Sequence, residues 1–194
     1  MADTTLTRQQ ILDTTEDVLR RYGPAKATVA DVARALGVSP GSIYRHFPTK
    51  VALREAVIHE WLHRVHAGLD EIATSPTPAP ERLRHWLTRL FEAKKQHSRD
   101  DPELFDTFTT LVAEHGDAAV EHTRDLVDQL QTIIAAGVER GEFAETDSAP
   151  AAIAVFTATT TFHNPLFRWE WSEPGIDAVF QAVTNLIVEG LTRR

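Results

Sequence analysis

Residues 28–50 read TVADVARALGVSPGSIYRHFPTK, and this stretch decides the fold. Thr28 is a hydroxyl residue set directly before an apolar-periodic segment, which is the sequence signature of a helix start. The periodicity runs to Leu36. Gly37 stops it, because glycine enters a left-handed turn without steric penalty. Ser39 followed by Pro40 begins another helix, with a hydroxyl at the cap and a proline in the first turn, where its missing N–H costs nothing. Two short helices joined by so tight a turn cross closely, and Ala33 supplies the small side chain that the crossing needs. Val29, Val32, Leu36, Val38, Ile43 and Phe47 are the apolar positions that pin both helices to a core. The outward side of the second helix is left with Ser39, Gly41, Ser42, Tyr44, Arg45 and His46. These are short or polar groups on a helix end of a size that enters the major groove of DNA.

Outward from this stretch the signals are helical. Upstream, Ile11, Thr15, Val18, Leu19 and Tyr22 fall on one face of a first helix that ends at Gly23-Pro24. Downstream, the spacing of Ile58, Leu62, Val65, Leu69 and Ile72 predicts a continuous fourth helix over 49–73. Three prolines make 74–80 a loop. A fifth helix over 81–97 turns Leu83, Trp86, Leu87, Leu90 and Phe91 inward. Asp101-Pro102 opens a sixth that Gly116 closes, and a seventh runs over 117–140. An eighth starts at Ser148 and Pro150 and runs to about 167, and a ninth runs from about 172 to 191. Alternating strand patterns are few, and Asn-Gly or Asp-Gly hairpin turns are missing. The expectation is an all-α chain of nine helices: a three-helix head and a longer helical body.

Composition narrows the class. The 194 residues suffice for one or two domains with a real core. No run of about 18 apolar residues is present, so no membrane span is expected, and the polar residues 1–10 do not read as a secretory signal. The sequence contains no cysteine, which excludes disulfides and thiolate metal sites and is compatible with a reducing cytoplasm. The net charge of −8 looks wrong for a DNA-binding protein until its distribution is read. Residues 1–54 carry eight Lys/Arg against five Asp/Glu, a balance of +3, while the remainder carries −11. A basic head on an acidic body suits a molecule that meets phosphates with one end.

The 28–50 run resembles the DNA-binding signature of the TetR family of transcriptional regulators at Thr28, Val32-Ala33, Gly37-Val38-Ser39, Ile43-Tyr44, Phe47 and Lys50. Tyr22-Gly23 also resembles the family's end of helix one. The resemblance implies a ligand-responsive regulator that acts as a repressor, cytoplasmic, without a cofactor and not an enzyme. It implies residues 1–50 as the helix-turn-helix domain and 51–194 as the ligand-binding and dimerisation domain. Tyr44, Lys50 and Thr28 would hold phosphates, and Ser42, Arg45 and His46 are candidates for base edges. Arg45 suits a guanine edge and equally suits the backbone. Gly41 departs from the larger or basic residues often found there, which leaves the operator sequence unread. The helices over 150–167 and 174–191 would pair with those of a second copy, and the resulting two-fold symmetry implies a pseudo-palindromic operator. By family position, a small-molecule pocket would draw on Trp61, Trp86, Leu90, Phe105, Phe108, Thr109, Val112, Phe156, Thr159, Thr160 and His163. Their character favours a hydrophobic or aromatic effector.

Two other readings stand beside this one. His59, His63 and His66 share one side of the expected fourth helix at spacing compatible with imidazole–metal coordination, which would make a metal-responsive regulator. A helical adaptor without DNA binding is the other. Catalysis finds little support: the nucleophile elbow, P-loop, dinucleotide fingerprint and His-Glu-x-x-His motif are all missing, and the Glu170/Glu173 pair reads as a solvated loop.

Overall fold

The computed structural model describes residues 6–114 and 116–192. Eleven α-helices form among them: α1 (Arg8–Lys26), α2 (Val29–Ala35), α3 (Pro40–Tyr44), α4 (Lys50–Val65), α5 (Leu69–Thr74), α6 (Ala79–Asp100), α7 (Pro102–Glu114), α8 (Gly116–Glu139), α9 (Ser148–Ala158), α10 (Thr160–His163) and α11 (Ile176–Thr192). A 3-10 segment, Pro165–Ser172, lies before α11, and no strand occurs among the described residues. The all-α expectation holds. The higher helix count comes from breaks inside two of the nine expected helices.

The first break is glycine's doing. The apolar stripe of the fourth helix continues in sequence through Ile72, yet α4 ends at Val65 and α5 begins at Leu69. Gly68 between them sits at φ +85°, a conformation that side chains with a Cβ rarely adopt. The stripe survives the interruption: Ile58, Leu62, Val65 and Leu69 are buried, and Ile72 is half-buried. The second break is proline's. The expected eighth helix loosens at Thr159 and stops at His163. Asn164, forced out of the helical region by the proline after it, is extended (φ −83°, ψ 123°). Its side chain then accepts from Leu166 N at 3.0 Å, capping the 3-10 segment.

The chain divides into two compact units, one from 1–64 with 101–119 and the other from 65–100 with 120–194. In the first, α1 packs on α2 and on α7, and α2 packs on α3. α1 starts in a reciprocal capping box: Gln10 N donates to Thr7 Oγ1 (3.2 Å) and Thr7 N to Gln10 Oε1 (2.9 Å). It buries Ile11, Leu12, Thr15, Val18 and Leu19. Tyr22, expected on the same face, is 44% exposed instead. It is the last residue before Gly23 (φ +72°) leaves the helical path, and Arg21 rather than the core lies near its ring.

In the second unit α6 is the central element, packed by α5, α10, α11 and the 3-10 segment. It begins at Ala79, earlier than expected, because Pro80 fits a first helical turn and Arg82 N already reaches Pro78 O (2.9 Å). Trp86 Nε1 donates to Gln129 Oε1 at 2.8 Å, joining α6 to α8. Phe91, Phe162 and Phe180 form a three-ring cluster with centroids 4.8–5.3 Å apart.

Candidate nucleic-acid interface

The turn between α2 and α3 is built as its sequence demands. Gly37 sits at φ +67°, and Val38 N returns to Ala33 O at 3.0 Å. Ala33 is 1% exposed, so the crossing point admits no larger side chain without a shift. Ile43 and Phe47 are 0% and 1% exposed and anchor α3 from behind, with Val29 and Val32 also buried. Leu36 and Val38 are half-buried, at the edge of this small core rather than in it. One brace was not legible in the sequence. The Arg8 guanidinium lies 4.3 Å from the Phe47 ring centroid and donates from Nη1 to His46 O at 3.4 Å. A cation over the ring and a bond to the chain end together hold the exit of α3.

The opposite side of α3 is polar and open. Ser39, Gly41, Tyr44, Arg45 and Lys50 are exposed, and Ser42 and His46 are half-buried. Ser39 Oγ and Ser42 Oγ are 3.1 Å apart, and Arg45 Nη2 donates to Ser42 Oγ at 3.3 Å. Residues at i, i+3 and i+6 thus form one hydrogen-bonded row along the outward face, which orients the Arg45 guanidinium before any ligand arrives. Gly41 stands beside this row with open space on one side; a Cβ there would meet Ser39 Oγ at 3.7 Å, an ordinary contact. Lys50 opens α4, whose N-terminus is capped by Thr49 Oγ1 accepting from Ala52 N at 3.0 Å. An ammonium and free N–H groups at a helix start suit a phosphate.

Thr28 is exposed, but its hydroxyl is engaged. It accepts from Asp31 N at 3.2 Å and donates to Asp31 Oδ2 at 2.5 Å, while Arg34 Nη1 donates to Asp31 Oδ1 at 2.7 Å. The Thr28 hydrogen bond and then the Arg34 contacts hold the Asp31 carboxyl below its ordinary range. A phosphate approaching Thr28 therefore meets an anion already in place.

The residues expected around a small molecule fall into both units. In the first, Trp61 stacks on Phe108 (4.8 Å, 6° between planes) and meets Phe105 edge-on (5.9 Å), while Thr109 and Val112 are half-buried. In the second, Trp86 and Leu90 are buried, and the Phe156 and His163 rings lie 4.2 Å apart. His163 Nε2 reaches Phe156 O at 3.0 Å, and burial pushes the imidazole down to about 4. Thr159 and Thr160 turn their hydroxyls to helix carbonyls, Val155 O and Thr157 O, at 2.9 and 2.7 Å. The sequence reading missed Lys94, a buried lysine on the same unit.

The histidine set expected for metal binding is arranged differently. His59 and His63 are exposed with centroids 5.2 Å apart. His66 lies past the last residue of α4, is buried, and packs on His122 at 4.4 Å. The helix ends before its third histidine, so the expected ridge of three does not form. Among the described residues, no group of three or more His, Asp or Glu side chains is placed to hold a metal ion. No helix of the described residues is long and apolar enough to cross a membrane.

Comparison with known proteins bears on this geometry. A family model described as bacterial regulatory proteins of the tetR family matches residues 11–57. A second, described as the tetracyclin repressor-like C-terminal domain, matches residues 79–184. The chain is 34% identical over 122 residues to the HTH-type transcriptional repressor Rv1474c of Mycobacterium tuberculosis, covering 60% of this chain and 64% of that protein, just under two thirds of its length. It is 27% identical over 157 residues to the HTH-type transcriptional regulator TtgR of Pseudomonas putida, covering 77% and 75% of the two chains. Its fold is similar to that of SmeT, the repressor of the Stenotrophomonas maltophilia multidrug efflux pump SmeDEF, with a TM-score of 0.70 at 17% identity over 98% of this chain and 93% of that one.

Proposed function

This chain belongs to the TetR family of bacterial transcriptional regulators, and on that premise we propose that it is a cytoplasmic repressor released from its operator by a small hydrophobic or aromatic effector. Residues 1–50 bind DNA and residues 51–194 bind the effector and dimerise. The observation that carries the reading is the division of α3: Ile43 and Phe47 are buried behind it, while Ser42, Tyr44 and Arg45 line its outward side. Tyr44 and Lys50 grip phosphates, and Ser42, Arg45 and His46 face base edges. The names of relatives as repressors favour repression over activation.

Two-fold pairing is supported by apolar surface left over on the body. α11 buries Ile176, Phe180, Thr184 and Val188 on one side and leaves Val179 and Leu186, 54% and 71% exposed, on another. Ile153 on α9 is 57% exposed. A second copy covers such faces and sets two α3 helices against one pseudo-palindromic site. The test is a titration of the DNA upstream of the protein's own gene with the full chain, read by mobility shift and by mass of the complex. The expected result is a discrete complex holding an even number of chains that outcompetes bulk DNA. Binding no tighter than to bulk DNA at any position upstream would remove the repressor reading.

A further inference from the structure

Two adjacent lysines on α6 have opposite fates. Lys95 Nζ is paired with Asp177 Oδ1 at 2.5 Å and lies 4.9 Å from the Phe91 ring centroid. Lys94, one residue earlier, is 6% exposed and has no hydrogen-bond or carboxylate partner among the described residues. Its α6 neighbours toward the core are Leu90 and Phe91, and Phe91 joins Phe162 and Phe180 in the ring cluster. A lysine more than nine-tenths buried without an opposite charge is costly to folding, so its retention calls for a use. The acids on the elements packed against α6 do not supply the missing charge: Asp177 is held by Lys95, Asp70 and Glu71 of α5 and Glu189 of α11 are exposed, and the half-buried Glu170 of the 3-10 segment makes no ion pair with Lys94. Burial is the sole cause acting on Lys94, and it lowers the group to about 8, which leaves it mostly protonated at neutral pH.

His163 completes the setting. Phe156 O can only accept, so His163 Nε2 carries the hydrogen and donates to it, leaving Nδ1 as an acceptor. The ring is neutral at pH 7, and the charge of Lys94 contributes to keeping it so. α10, which carries His163, packs on α6 through the Phe91–Phe162 contact, so the site offers one positive charge and a neutral imidazole around the same aromatic rings. One cation matches a monoanion; a phosphate dianion would leave charge uncompensated.

Resting on the effector-released repressor proposed above, we propose that the effector is a carboxylate with an apolar body, its anionic head held by Lys94 and its body against Phe91 and Phe162. Lys94 supplies what the surrounding apolar residues alone do not: a basis for choosing an acid over its neutral analogue of the same shape.

The test uses the full chain and calorimetric titration with four acids (octanoate, dodecanoate, benzoate and 2-naphthoate), each against its primary amide. At pH 7 at least one acid binds about tenfold or more tightly than its amide, the usual worth of a charge-assisted bond. That preference disappears in Lys94→Met and in Lys94→Gln, each first shown by thermal melting to unfold cooperatively, and returns in Lys94→Arg. In the unsubstituted protein it declines as pH rises through about 8, where Lys94 loses its proton. A purely structural lysine would not produce this pH profile. If no acid outbinds its amide, or if Lys94→Met keeps the preference, the carboxylate assignment is overturned. Operator binding without any effector is measured in parallel. Its absence sinks the repressor reading, whereas intact operator binding that neutral compounds alone release sinks only the role of Lys94.

Discussion

Replacing Gly137 by alanine puts a methyl where α8 leaves no room for one. A Cβ there would stand 2.3 Å from Phe143 Cδ2, 2.7 Å from Cε2 and 2.8 Å from Ala79 Cβ. Two effects oppose. Alanine in a helix interior is favoured over glycine by about 1 kcal/mol. Forcing a methyl into a packed core costs about 1–3 kcal/mol, and its size depends on how readily the neighbours yield. Here they yield poorly. Phe143 is 3% exposed, and its N–H is bonded to Gly137 O at 3.1 Å, with Glu142 N on the same carbonyl at 2.8 Å. Ala79 is fully buried, and its N–H is held by Glu142 Oε2 at 2.6 Å. The overpacking term wins, and Gly137→Ala loses about 1–2 kcal/mol in urea unfolding at fixed protein concentration, with the denaturant slope unchanged. Phe143→Ala removes both ring atoms that the methyl would meet, so the double variant is more stable than the sum of the singles by about 1 kcal/mol. A neutral or stabilising Gly137→Ala, or strict additivity in the cycle, would refute this packing argument.

Other outcomes follow from the same structure. His163 is buried neutral, with its ordinary value of 6.5 lowered to about 4. As pH falls below 6.5 the unfolded chain takes up a proton that the folded chain refuses. Stability is therefore lost between pH 6.5 and 4, by about 3 kcal/mol in full, and His163→Gln flattens the unfolding free energy over that window; parallel pH curves for the two proteins would contradict the assigned burial. Gly37 is at φ +67° with no atom within 4 Å of an added Cβ, so Gly37→Ala costs only backbone strain, about 1–2 kcal/mol. Gly41→Ala, in α3 with ordinary contacts, stabilises by a few tenths of a kcal/mol up to about 1 kcal/mol; thermal melts that move both variants in one direction would tell against the turn.

The head was legible because its signals are local. Thr28, Gly37, Ser39 and Pro40 each act on backbone within a few residues of themselves, and the apolar positions between them repeat at one period. The body was less so. Gly68 interrupts a stripe whose spacing continues across it, and nothing in residues 58–72 says on which side of that glycine the helix stops. The segment around Thr159 is apolar or small on every side, so periodicity offers no boundary until Pro165. Lys94 continues the inward stripe of Leu83, Leu87 and Leu90, so its burial was legible, but its surroundings were not; α10 and α11, which pack on α6 from far along the chain, cover it and give Lys95 an acid to hold. Arg8 reaches a carbonyl 38 positions away, a distance no local pattern encodes.

If the outward face of α3 and the start of α4 grip a duplex, the salt dependence of operator affinity must change when their side chains are cut back. Lys50→Ala should weaken binding to all sequences alike and reduce the slope of log affinity against log salt by about one. Arg45→Ala should weaken operator binding about tenfold or more and narrow the gap between operator and unrelated DNA. Variants whose affinities and slopes coincide with those of the unsubstituted chain would show that this face does not meet DNA.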